Sequence, residues 1–155
     1  MLKQSYLSHF FAAFLLFAAP FSQLIAATDS GAWVEGKANY YEVKPPITVN
    51  LQAATIRYIQ VKIQLMSREV HTLEKIEANK PAILDTLITL ITAQDLATMQ
   101  NVTTREKVRT EALKRIQELL KNIAGIVPGE VIGKGEDAKT IRGVEALYFT
   151  DFVVQ

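Results

Sequence analysis

LYFTDFVVQ, Leu147 to Gln155, contains only three polar residues, Thr150, Asp151 and the final glutamine. Chain ends are ordinarily polar and frayed, and a bare apolar strand invites edge-to-edge aggregation. Such an ending has to be held inside a sheet. Residues 144–154 read as a strand that is apolar on both sides, Leu147, Phe149 and Val153 against Ala146, Tyr148, Phe152 and Val154. A strand buried on both faces is usually central, so the expectation is an interior strand.

Its partners lie far upstream. In IRYIQVKIQLM, Ile56 to Met66, Ile59, Val61, Ile63 and Leu65 alternate with Gln60, Lys62 and Gln64, the period of a half-buried strand. Before it, Ile47, Val49 and Leu51 alternate with Thr48 and Asn50. Pro45 and Pro46 lack amide donors, so this earlier strand belongs at a sheet edge or bends there. The connection QAAT is short enough for a hairpin.

Between the second strand and the last, the period becomes helical. Residues 70–79 form a short helix with Leu73 and Ile76 on one side, and Pro81 suits the first turn of a second. On that second helix Ile83, Leu84, Leu87, Ile88, Leu90 and Ile91 fill an arc of about 160°, wider than the roughly 100° that one buried face requires. It is expected to touch the sheet and something else, with Leu84 and Ile88 as the self-association residues at the arc's edge. Thr103 and Glu106 spell a capping box for a helix to Ile123, with Val108, Ala112, Leu113, Ile116, Leu119, Leu120 and Ile123 on one face and Gly125, Pro128 and Gly129 ending it. GKGEDAK is a polar turn. The fold class is α+β, a short antiparallel sheet packed against two to three helices.

The 155 residues are 49% hydrophobic and 21% charged, which suits one globular domain and is too apolar for disorder. Formal net charge is +1, with Lys3 the only formal charge before Asp29. The remainder is balanced, without long charge blocks, so nucleic acid is not held by charge. There is no cysteine, which removes disulfides, thiol catalysis and zinc–thiolate sites.

The first thirty residues carry Lys3, an apolar run from Phe10 to Ala19, Pro20 and then IleAlaAla at 25–27. A run of that length matches a signal-peptide core, whereas spanning a bilayer takes about 20 residues. Residues 1–27 are read as a cleaved signal peptide, or else as an uncleaved membrane anchor strained at Pro20. Both readings export the chain from Thr28 onward. Residues 28–39 read as a linker, in which Trp33 docks on the domain, and residues 40–155 as the exported domain.

Catalytic chemistry is sparse. Ser67 and His71 lie too close in sequence for a supported triad, and a lone imidazole without cysteines makes no zinc site. Gly129, Gly133 and Gly135 lack the Lys-Ser/Thr ending of a phosphate loop. Glu74 and Glu77 share a solvated helix face, and nothing draws Asp85 and Asp151 together. Asn101-Val102-Thr103 matches a glycosylation acceptor, although Thr103 already serves as a cap. Arg109 falls within the apolar arc of its helix, where it snorkels or pairs with a carboxylate such as Asp85. No catalytic constellation, cofactor site or metal site is read from the sequence.

Taken together, Tyr148, Phe149, Thr150, Phe152, Val153, Val154 and Gln155 resemble the closing Tyr-Phe-Thr-x-Phe-Val-Val-Gln strand of the FliL family of flagellar basal-body-associated proteins. Val49-Asn50-Leu51 is similar to the family's early Val-Asn-Leu strand, and Arg57 to Val61 to its second strand. Pro81 and Asp85 resemble its Pro-x-Ile-x-Asp helix start, and Val108-Arg109 a Leu-Arg pair. The resemblance covers residues 40–155. It implies a small stomatin-like periplasmic domain, non-enzymatic, assembled as a homo-oligomeric ring with the stator units and basal body. It further implies support of motor rotation, motility and chemotaxis from the periplasmic side of the inner membrane. Members of the family normally carry a cytoplasmic segment and a full transmembrane helix; here five residues precede a short, proline-broken run, the pattern of a signal-peptide-bearing paralogue. The alternative is a free periplasmic ligand-binding or scaffold module unrelated to the motor, and a hydrolase built on Ser67, His71 or a carboxylate pair is a further rival.

Overall fold

In the computed structural model, residues 32–51 and 57–154 are described. The expectations for residues 1–27, for the QAAT connection and for Gln155 lie outside them. Three strands form one antiparallel sheet: β1 (Asn39–Leu51), β2 (Arg57–Ser67) and, after the helices, β5 (Ala146–Val154). The helices are α1 (Val70–Ala78), α2 (Lys80–Thr92), α3 (Leu96–Gln100) and α4 (Val102–Ala124). The fold class is α+β, with four helices where two to three were expected. Helix α3 was missed because it is a five-residue element whose Asp95 side chain accepts from the Thr98 amide at 2.6 Å, too short for a helical period. Flanking the polar turn, β3 (Val131–Ile132) and β4 (Lys139–Thr140) make a second, two-stranded ribbon.

The strand order is β1-β2-β5, which corrects the reading of the last strand. β5 is an edge strand, and β2 is the central one. The reason is a bulge. Lys62 faces Asp151 while the adjacent Ile63 faces Phe149, leaving Thr150 as the extra residue. One additional residue inverts the side-chain alternation beyond it. Leu147, Phe149, Phe152 and Val154 consequently lie on one face, opposite Leu65, Ile63, Val61 and Ile59. What reads as a strand apolar on both sides gathers Leu147, Phe149, Phe152 and Val154 on one face because the register shifts at Thr150, and leaves Tyr148 and Val153 on the other.

The inward residues of β2 carry the core: Ile59, Val61, Ile63 and Leu65 are almost fully buried. β1 lies at the other edge, with a register shift between Val43 and Ile47 across the two prolines, so it both borders the sheet and breaks there. Helix α2 packs on β1 and α4, and α4 packs on β5 and α3, which covers one sheet face and leaves the other open. On α2, Ile83, Leu87, Leu90 and Ile91 are buried, Leu84 is half-buried against the core and Ile88 is 41% exposed. Only part of the wide arc is core.

Helix α4 begins at Val102, two residues earlier than expected. Asn101, not Thr103, is the N-cap, and its side chain accepts from the Thr103 and Thr104 amides at 2.9 and 3.2 Å. An Asn side chain satisfies these orphan amides as well as a hydroxyl does, and Glu106 is thereby released to pair with Arg109. The helix ends where Gly125 adopts φ 68°, a left-handed conformation natural to glycine, and the Ile126 amide reaches back to the Leu120 carbonyl at 3.2 Å.

Candidate functional site

Of the family-motif residues, Arg109 and those of β5 meet at the border between β5 and α4, whereas Asn50 lies on β1 and Asp85 on α2. The Arg109 guanidinium donates from Nη1 to the Leu147 carbonyl at 2.6 Å and from Nε to the Glu106 carboxylate at 2.8 Å. Both expected roles for Arg109 are modified: it is half-buried, and its carboxylate partner is one turn away on its own helix rather than Asp85, which is exposed. The pairing with Glu106 raises the guanidinium pKa and lowers that of the carboxyl. Beside it, Gln117 donates to the Val144 carbonyl at 2.8 Å, and Arg105 lies 4.6 Å above the Phe152 ring, a cation–π distance. A groove of about 540 Å³ runs between these elements, walled by Val102 and Leu113 on one side and by Ala146, Tyr148 and Phe149 on the other.

The open sheet face joins this border. Tyr148 projects outward from β5 beside Tyr40 of β1, ring centroids 6.1 Å apart, and Tyr58 is also exposed. Lys62 and Asp151 pair across the strands at 3.0 Å, and this ammonium holds the Asp151 carboxyl below its ordinary range. Gln60 donates to the Thr48 hydroxyl at 3.5 Å. Asn50 lies on β1 opposite Tyr58. Among the motif residues Thr150 is the bulge, Val153 stands opposite Gln60 on the open side, and Phe149, Phe152 and Val154 face the core.

The residues weighed for catalysis are dispersed. Ser67 is fully buried, its hydroxyl donating to the Gly143 carbonyl at 2.8 Å and accepting from the Glu69 amide at 3.1 Å. His71 is exposed, 3.9 Å from Glu74. Glu74, Glu77 and Asp85 are on the surface, and among the described residues no three His, Asp or Glu side chains converge on a metal position. No helix among the described residues is long and apolar enough to cross a membrane.

Sequence reasoning missed a second polar cluster. Glu35 accepts from the Val70 amide at 2.9 Å and pairs with Lys139 of β4, and the Lys139 ammonium is also 4.0 Å from the buried Glu69. Lys139 and the Val70 amide hold the Glu35 carboxyl below its ordinary value. Trp33 of the same segment is docked against the core, 6.3 Å from Tyr41. Trp33 docks as expected, but residues 32–38 have neither helical nor strand period, so nothing in their pattern announced the contacts of Glu35.

Comparison with known proteins places this geometry. The model of the flagellar basal body-associated protein FliL family matches residues 40–155. A flagellar protein FliL of Aquifex aeolicus (strain VF5) is 28% identical over 117 residues, a stretch that spans 74% of this chain and 60% of that relative. The match takes in the three-stranded sheet from Tyr40 onward and helices α1 to α4. The chain belongs to the FliL family of flagellar basal body-associated proteins.

Proposed function

We propose that the protein is a non-enzymatic component of the flagellar basal body that acts by contact. It supports stator function, flagellar rotation and motility, including rotation control in chemotaxis, from the periplasmic side of the inner membrane. The observation that carries this reading is the family match over residues 40–155. The dispersed Ser67, His71 and carboxylates agree with a role in binding rather than turnover. Assembly as a homo-oligomer, with Ile88 and Leu84 of α2 at the contact between copies, gives the uncovered part of the apolar arc a use. Residues 1–27 export the domain, as a cleaved signal peptide or as an anchor in the inner membrane.

The test is a deletion strain carrying otherwise intact motor genes. Flagella are expected to assemble while swimming or swarming weakens, most visibly at high viscous load. Normal speed at every load, with no co-purification of motor components, would remove the motor role.

A further inference from the structure

Among the described residues β5 has no neighbouring strand on one side, and the ladder identifies the groups that lie there. Where β5 joins β2, the Glu145 amide donates to the Met66 carbonyl at 2.9 Å. One pair further on, Leu147 stands opposite Leu65 and its carbonyl is taken by Arg109 instead. Residues of an antiparallel pair alternate between exchanging both backbone bonds and turning both groups away. Leu147 and Phe149 therefore direct N–H and C=O groups to the open side, along the floor of the α4–β5 groove. The other edge is blunted: Pro45 and Pro46 interrupt β1, a common protection against strand addition.

Charge along the groove is unevenly matched. Glu106 pairs with Arg109, and Glu145 with Arg68. Arg105 donates to the Met99 carbonyl at 3.3 Å and covers the Phe152 ring, but among the described residues no carboxylate lies within ion-pair distance of it. Val102, 71% exposed, adds an apolar wall next to this cation.

We propose that the α4–β5 groove is a strand-addition site for an extended segment of another protein, alternating in apolar side chains and carrying a carboxylate that meets Arg105. Backbone bonds to Phe149 supply the pairing, and the Arg105 guanidinium, which has no carboxylate partner among the described residues, supplies the preference for an acidic ligand. The site requires only the edge, the groove and Arg105, so it stands or falls independently of the motor role.

The probe is a fluorescent, C-terminally amidated hexapeptide alternating valine and threonine with one aspartate, titrated into the full chain and followed by anisotropy. Saturable binding is expected, with perturbation of the Phe149 amide resonance. Replacing the aspartate by asparagine, or Arg105→Gln in the protein, should weaken it about tenfold, the size of one charge-assisted bond. Arg105→Lys should retain part of the difference. N-methylation of alternate peptide amides should abolish binding in one register and leave it intact in the other. The asparagine peptide probes the same contact on unaltered protein, which covers the case of a misfolded Arg105 variant. Absence of saturable binding, equal affinity for the asparagine peptide, or insensitivity to both methylation registers would overturn the proposal. So would a concentration-dependent dimer that buries Phe149 and excludes the peptide, since the edge would then belong to a second copy.

Discussion

Ser67 ties three segments together with one hydroxyl: it ends β2, accepts from the amide preceding α1 and donates to the Gly143 carbonyl before β5. Ser67→Ala leaves two buried backbone groups without that partner and should cost about 1–3 kcal/mol, read as a lower denaturant midpoint with unchanged slope. Gly143 has φ 67°, and an added Cβ would lie 2.9 Å from Pro128 Cγ. Gly143→Ala should therefore destabilise by about 1–2 kcal/mol or more, from the left-handed backbone alone. At Glu35 the effect depends on pH. Lys139 and the Val70 amide, with Arg142 adding its field, depress its folded pKa below the ordinary 4.5. Its contribution is thus present above about pH 4.5 and is lost as pH falls through the depressed folded value. Glu35 is half exposed, so solvent screening keeps the contribution small. Glu35→Gln should melt lower than the native protein at neutral pH, and the two melting temperatures should converge as the pH falls through the depressed folded value. Curves that remain parallel in acid would sever the link to this carboxyl.

At the scale of elements, β5 shows how far periodicity can be followed. β2 is plain in the sequence because its four inward residues keep strict alternation, and α4 because its buried Val108, Ala112, Ile116 and Leu120 keep the helical spacing. β5 is recognisable as a strand but not as an edge, because a bulge leaves no sign in composition and reverses the parity on which the inference rests. The groove was invisible for a related reason: it arises where α4 meets an edge whose position was misread. The bulge yields a definite expectation. Without Thr150 the inward residues Leu147, Phe149, Phe152 and Val154 would alternate regularly, so deleting Thr150 should leave the domain folded with β5 still paired. Deleting Tyr148 instead would displace Leu147 from the core face or misplace the three residues after it, and should destabilise by several kcal/mol, since each large side chain removed from burial costs about 1.5–3 kcal/mol. Denaturation of the two deletions side by side measures the difference. Equal loss would show that β5 does not depend on the bulge for its register.

For the whole molecule, one sheet face and one helix layer share a core, and the surfaces left over are the open sheet face, the β5 edge and the outer side of α2. The proposed assembly falls on the last of these. Leu84 and Ile88 share the margin of an apolar arc but not its burial: Leu84 is packed against the core, whereas Ile88 is 41% exposed. A lysine at position 84 would carry charge toward apolar neighbours, a change that costs stability whatever the oligomeric state. A lysine at 88 reaches water in the monomer and meets an obstacle only if another copy covers it. Ile88→Lys should therefore keep the native circular dichroism and melting while shifting sedimentation toward the monomer. Leu84→Lys should lower the melting temperature first, with any loss of assembly following from that. The double variant confounds the two effects, so the single ones are the informative pair. Should native protein sediment as a monomer at all concentrations tested, or Ile88→Lys assemble as well as the native chain, α2 is not where copies meet, and the breadth of its apolar arc is left without that cause.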